Sequence, residues 1–256
     1  MINLYLWRLT RTAIFVKSFF SRITTLKKMK ESNSDGQKTF ALVFEKSIEN
    51  NFSQIEKNQI DEIEKIRYYW SKSDKKINKW DNSGTENISR LAKVSSKSKF
   101  WSSLIFNLIR EFKPNNCLEL GTCIGISAAY QASAIKLNEK GKLITLEGSV
   151  ERTKIANENF MNLQLDNVEI SAGKFEDNLE NILISNKTFD FIFLDGNHQY
   201  NSTIEYFNII LPYLENKSII VVDDTNYSSE MNKAWKKLLE NQNVEFSVDL
   251  FGLGVI

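Results

Sequence analysis

From residue 117 onward, short apolar runs alternate with longer stretches of helical spacing. Segments 117–120, 142–147, 168–171, 189–195, 218–224 and 244–250 predict strands, and 128–137, 150–163, 175–184, 202–214 and 231–241 predict helices. Strand and helix in turn imply βαβ units, so the expected fold is α/β, Rossmann-like and doubly wound, with a mostly parallel sheet. The run Phe189-Asp190-Phe191-Ile192-Phe193-Leu194 is nearly all apolar, as a strand covered on both faces should be. Residues 251–256 would begin a last, antiparallel seventh strand, short or truncated.

The first 98 residues follow another pattern. Ile2, Leu6, Leu9, Ala13, Val16, Phe20 and Ile23 recur at steps of three and four, predicting an amphipathic helix over 1–30. A polar break at 31–38 reads as a hinge, 40–70 as one long charged helix, 72–85 as loop, and 88–94 and 100–112 as two more helices. Residues 1–98 are therefore expected to form a helical extension and 99–256 the α/β domain. Trp70, Trp80 and Trp101 are either core or the lining of a ligand pocket.

Charge sharpens this division. Residues 1–30 carry seven Lys or Arg and no acid, while the remaining 26 basic and 32 acidic side chains leave the rest at −6. An acidic main domain is not expected to bind nucleic acid. The basic stripe suits packing on its own domain, a second subunit, or an anionic membrane surface. Arg8, Arg11 and Lys17 interrupt it, so neither a membrane span nor a secretory leader is expected. Cys117 and Cys123, the two cysteines, flank one strand–turn too extended for a bridge, which points to a reducing, cytoplasmic setting.

The chemistry concentrates at strand ends. Residues 117–127 (Cys-Leu-Glu-Leu-Gly-Thr-Cys-Ile-Gly-Ile-Ser) join a strand to a helix through Gly121 and Gly125. Such a turn lets backbone approach a ligand, with helix N–H groups aimed at its polar atoms. It is not the dinucleotide fingerprint, because Cys123 stands where the pyrophosphate-facing glycine belongs. Glu147, Asp195, Asp223 and Asp224 close later strands, where open α/β sheets bind ligands. Carboxylates inside an apolar framework are costly unless they bind something. His198, the single histidine, lies three residues past Asp195 and suits proton transfer near neutrality.

Glu119-Leu120-Gly121-Thr122 with Gly125-Ile126-Ser127 resembles motif I of the class I S-adenosylmethionine-dependent methyltransferases. The span from Phe112 to Leu250 is similar to their methyltransferase-24-like branch. The resemblance implies cofactor contacts from Glu119, Gly121, Thr122, Gly125 and Ser127, from Glu147 and Gly148 at the ribose, and from Gly173, Lys174 and Phe175 at the adenine. Lys174 departs from the acid many members carry there, leaving the adenine to backbone groups and Phe175. Asp195-Gly196-Asn197-His198 is similar to the D-x-x-K of cation-dependent O-methyltransferases, and Asp223-Asp224 to their D-N pair. By that likeness His198 and Asp195 would be catalytic and Asp195, Asp223 and Asp224 would hold Mg2+; otherwise Asp195 serves the methionine end of the cofactor.

The expected activity is methyl transfer from S-adenosylmethionine to a hydroxyl of a small molecule or glycan, by a cytoplasmic protein with peripheral membrane contact or homo-oligomerisation through residues 1–30. A nucleotide-dependent oxidoreductase and a non-catalytic binding protein of the same fold are the alternatives.

Overall fold

The computed structural model describes residues 24, 26–81, 83–250 and 252–256. Most of the basic stripe expected over 1–30 lies outside them.

The chain enters through α1 (Asp35–Ile48) and α2 (Gln54–Ser71), not the single long helix expected over 40–70. Asn50 takes a left-handed φ of 52°, and Ser53 then opens α2 with a capping box. The Ser53 hydroxyl accepts from the Glu56 N–H, while the Glu56 carboxylate accepts from the Ser53 N–H at 2.9 Å. Two orphan donors are thereby satisfied at the break. The expected loop at 72–85 holds a small antiparallel ribbon, β1 (Lys76–Asn78) with β2 (Thr85–Asn87). A helical turn, Ile88–Arg90, runs into a π-helical turn, Leu91–Ser95, ahead of α3 (Lys99–Phe112).

The α/β unit then follows: β3 (Asn116–Leu120), α4 (Ile126–Leu137), β4 (Lys142–Glu147), α5 (Val150–Asn162) and β5 (Val168–Ala172). After these come α6 (Phe175–Asn186), β6 (Phe189–Leu194), α7 (Tyr200–Ile210), β7 (Leu214–Asp223) and α8 (Ser229–Leu238). The hairpin β8 (Val248–Asp249) and β9 (Leu253–Val255) ends the chain. The sheet order is β5-β4-β3-β6-β7-β9-β8; β9 runs antiparallel to β7, as expected of the last strand, and the expected strand at 244–250 shrinks to β8.

Alternation along the central strands sorts their side chains into two cores. Cys117, Leu143, Phe191, Phe193, Ile219 and Val221 join one; Leu118, Leu120, Ile144, Leu146, Ile192 and Val222 join the other. The first core continues without interruption through Phe40 and Phe44 of α1 and Ile60, Ile63 and Trp70 of α2. The N-terminal helices thus pack as a layer on the first core of the sheet. No described helix is long and apolar enough to cross a membrane.

Candidate active site

β3 and β6 are hydrogen-bonded neighbours, and Gly121 leaves β3 at the point where Asp195 leaves β6. Gly121 has a φ of 113°, and a Cβ there would stand 2.1 Å from the Asp195 carbonyl oxygen. Only glycine fits so close a backbone passage. Gly125 has a φ of 82°, and its Cβ would meet the Phe160 ring at 2.9 Å. Cys123 between them takes a φ of 52°, a left-handed conformation that glycine adopts at lower cost.

Behind the turn sits Glu119, wholly buried. Its carboxyl accepts from the Ser127 hydroxyl and Thr145 hydroxyl, each at 2.6 Å, and from the Gln131 amide at 2.7 Å. Burial pushes its pKa up to about 7 despite those three donors. Thr122 is also fully buried, its hydroxyl 2.6 Å from that of Thr145. Glu119, Thr122, Gly125 and Ser127 hold the turn from behind, and Gly173 spaces the β5–α6 link; none of them lines the cavity described next. The side-chain bonds of Glu119, Thr122 and Ser127 brace the turn.

A cavity of about 1300 Å³ opens over the strand ends. The α/β unit contributes Gly121, Cys123, Glu147, Gly148, Lys174 and Phe175 to its wall. Glu147 accepts from the main-chain N–H groups of Cys123 at 2.8 Å and Ser149 at 2.9 Å. Arg152 stands 3.7 Å from the same carboxylate and forks onto Glu86 of β2, so the ribbon braces this acid from outside. Burial raises the Glu147 pKa, and Arg152 with the two N–H groups opposes the rise. Phe175 lies against Gly196, where a Cβ would be 2.5 Å from its ring.

Asp195, His198, Asp223 and Asp224 line the same cavity. His198 Nε2 lies 3.7 Å from Asp195 Oδ1 and 3.8 Å from Asp224 Oδ2. Asn197, His198 and Asp224 all take left-handed φ angles, 65°, 36° and 54°, so strained backbone aims these side chains. Burial first, and the neighbouring Asp223 charge second, hold the Asp195 carboxyl well above its ordinary range.

The N-terminal layer supplies a further part of the wall, including Tyr68, Trp80, Lys97 and Trp101. Of the three expected tryptophans, Trp80 and Trp101 reach the cavity. Trp70 is core, its indole N–H donating to Asn159 Oδ1 at 2.8 Å. Lys97, Arg152 and Tyr227 had no signal in the local sequence and are brought in by the fold.

Ligand atoms of Asp195, His198 and Asp223 lie within 4.8 Å of one another, the grouping a metal would need. Yet the Lys97 ammonium is ion-paired to Asp223 Oδ2 and stands 3.5 Å from Asp224 Oδ1. Burial alone would lower the Lys97 pKa, but Asp223, Asp195 and Asp224 outweigh it and the pKa is raised. With an ammonium on two of the three carboxylates expected to bind Mg2+, the donor set does not fit a divalent ion.

Residues 118–225 match the family described as a methyltransferase domain. Among solved structures, the chain resembles a Podospora anserina methyltransferase bound to S-adenosylhomocysteine (TM-score 0.56, 19% identity, 75% of this chain and 93% of that one). It is also similar to an O-methyltransferase from Bacillus cereus in complex with S-adenosylhomocysteine (TM-score 0.57, 21% identity, 77% and 88%). A third is the O-methyltransferase TomG from Streptomyces achromogenes, involved in tomaymycin synthesis, in complex with S-adenosylmethionine (TM-score 0.53, 21% identity, 64% and 80%). No curated protein matches the chain. The match over residues 118–225 makes that segment similar to methyltransferase domains, and the solved neighbours share the fold.

Proposed function

We propose that the protein methylates a hydroxyl oxygen of a small molecule or glycan. The observation that carries this reading is His198 Nε2, 3.7 Å from Asp195 Oδ1, in the wall that Gly121 and Glu147 also line. Two of the similar structures are O-methyltransferases, which supports the choice of oxygen.

The residues fit the cofactor. Gly121 leaves the cradle open where a Cβ would fill it, and Glu147 keeps acceptor capacity for ribose hydroxyls beyond its two N–H bonds. Phe175 offers an apolar face to the adenine. When bound, S-adenosylmethionine supplies a methyl carbon whose bond to sulfur breaks as the acceptor oxygen bonds to it, the electron pair leaving on sulfur. His198 Nε2 takes the acceptor's hydroxyl proton, and the Asp195 and Asp224 carboxyl groups beside that nitrogen stabilise the imidazolium that forms. Much of the remaining acceleration is positioning, because in-line attack demands a fixed approach.

The test is release of S-adenosylhomocysteine on challenge with phenols, catechols and sugar alcohols, beside their O-methylated analogues. Release should require a free hydroxyl. Turnover confined to amines or thiols would overturn the reading.

A further inference from the structure

Lys97 comes from the Ser96–Ser98 link before α3, outside the segment 118–225 that matches the methyltransferase family. Its ammonium pairs with Asp223 and stands 3.5 Å from Asp224, the two acids that end β7. The Lys97 side chain is 16% exposed and that of Asp223 2%, so the pair is largely withdrawn from water. The other Asp223 oxygen, Oδ1, is buried without a hydrogen-bond partner, on a residue that lines the cavity. The neighbouring Asp195 carboxyl belongs to the same group of acids. An ammonium has three donors. With two directed at Asp223 and Asp224, one remains for an oxygen in the cavity beside His198.

We propose that Lys97 is the resident cation of the acceptor site: its ammonium takes the position a divalent ion would hold and binds the acceptor oxygen directly, making transfer metal-free. This rests on the methyl-transfer reading above. A carboxylate group of this density needs a positive partner. A metal answers that need at an octahedral geometry with several oxygens and waters, whereas a lysine answers it with one point charge on a tether. Because the tether belongs to the N-terminal layer, that layer would complete the reacting centre as well as cover it.

The test needs no acceptor. Mn2+, a paramagnetic stand-in for magnesium, is titrated into the full chain and free ion followed by electron paramagnetic resonance, beside calorimetry with S-adenosylhomocysteine. The wild type should bind S-adenosylhomocysteine and leave Mn2+ free. Lys97→Met should still bind S-adenosylhomocysteine and take up Mn2+ roughly tenfold tighter or more, since three carboxylates then lack their counter-ion. Lys97→Arg, which keeps the charge, should behave as the wild type, and Asp223→Asn added to Lys97→Met should remove the gained site. Tight Mn2+ uptake by the wild type overturns the proposal and needs no variant to fold; so does a folded Lys97→Met that gains none. Failure of the wild type to bind S-adenosylhomocysteine strikes instead at the methyl-transfer reading, and this one falls with it.

Discussion

The Glu147 carboxylate accepts a hydrogen bond from the Cys123 N–H at 2.8 Å, tying the end of β4 to the glycine turn that leaves β3. A buried acid fixed by backbone donors is held ready for a second set of donors. Glu147→Ala should weaken S-adenosylhomocysteine binding by roughly 1.5–3 kcal/mol, the scale of charge-assisted hydrogen bonds. Calorimetry checks this; unchanged affinity would remove Glu147 from the cofactor site.

Gly121→Ala puts a methyl group 2.1 Å from the Asp195 carbonyl at a φ of 113°. Backbone would have to move, so a stability loss of about 2–5 kcal/mol is expected from strain and overpacking together. Urea denaturation measures it, and cofactor binding should fail in parallel because the same shift displaces Asp195.

Glu119 makes stability depend on pH. Its pKa is raised from an ordinary value near 4.5 to about 7, so between these values the folded state binds the extra proton. The stabilisation is therefore fully present below about 4.5 and lost as pH rises towards 7, on the order of 3 kcal/mol across that window. Glu119→Gln, which mimics the protonated acid, should flatten that part of the profile. Denaturation midpoints at pH 5 and pH 8 decide it: equal pH slopes in the two proteins would contradict the raised pKa.

Trp70 of α2 donates to Asn159 of α5, and Asn159 donates to the Ile124 carbonyl in the motif turn, both at 2.8 Å. Trp70→Phe would leave a buried amide oxygen unpaired. A loss of about 1–3 kcal/mol is expected, read from urea unfolding. A neutral result would mean that the N-terminal layer does not brace the turn.

His198→Ala should slow turnover about 10²–10⁴-fold, the range for a lost general base, while S-adenosylhomocysteine binds as before. The measurement uses whichever hydroxyl compound the release screen identifies, and added imidazole should restore part of the rate. Unaltered turnover would leave proton removal to another group.

The α/β half was legible because strands covered on both faces leave short continuous apolar runs, which their length and flanking turns set apart from helices. Phe189 to Leu194 is the clearest case. The strand-end acids were legible for the related reason that a charge closing such a run needs a partner. The helix break near Asn50 was missed amid a long polar stretch, although Ser53 and Glu56 carry the spacing of a capping box. The ribbon at Lys76 to Asn87 escaped because its strands are three residues long and mostly exposed. Lys97 left no local trace at all: it sits among serines and lysines, and its partner Asp224 is 127 residues away. Contacts of that span are properties of the fold, not of any window of sequence.

The cavity wall is drawn from two separate stretches of chain. Gly121, Glu147 and Phe175 come from the α/β alternation, while Tyr68, Trp80 and Trp101 come from before it. On the proposed reading, the cofactor cradle draws its wall from the α/β segment, and the acceptor side takes part of its wall from the segment before it. Tyr68 and Trp80 lie in that second stretch, so substitutions there alter the cavity wall without changing the Gly121 turn itself.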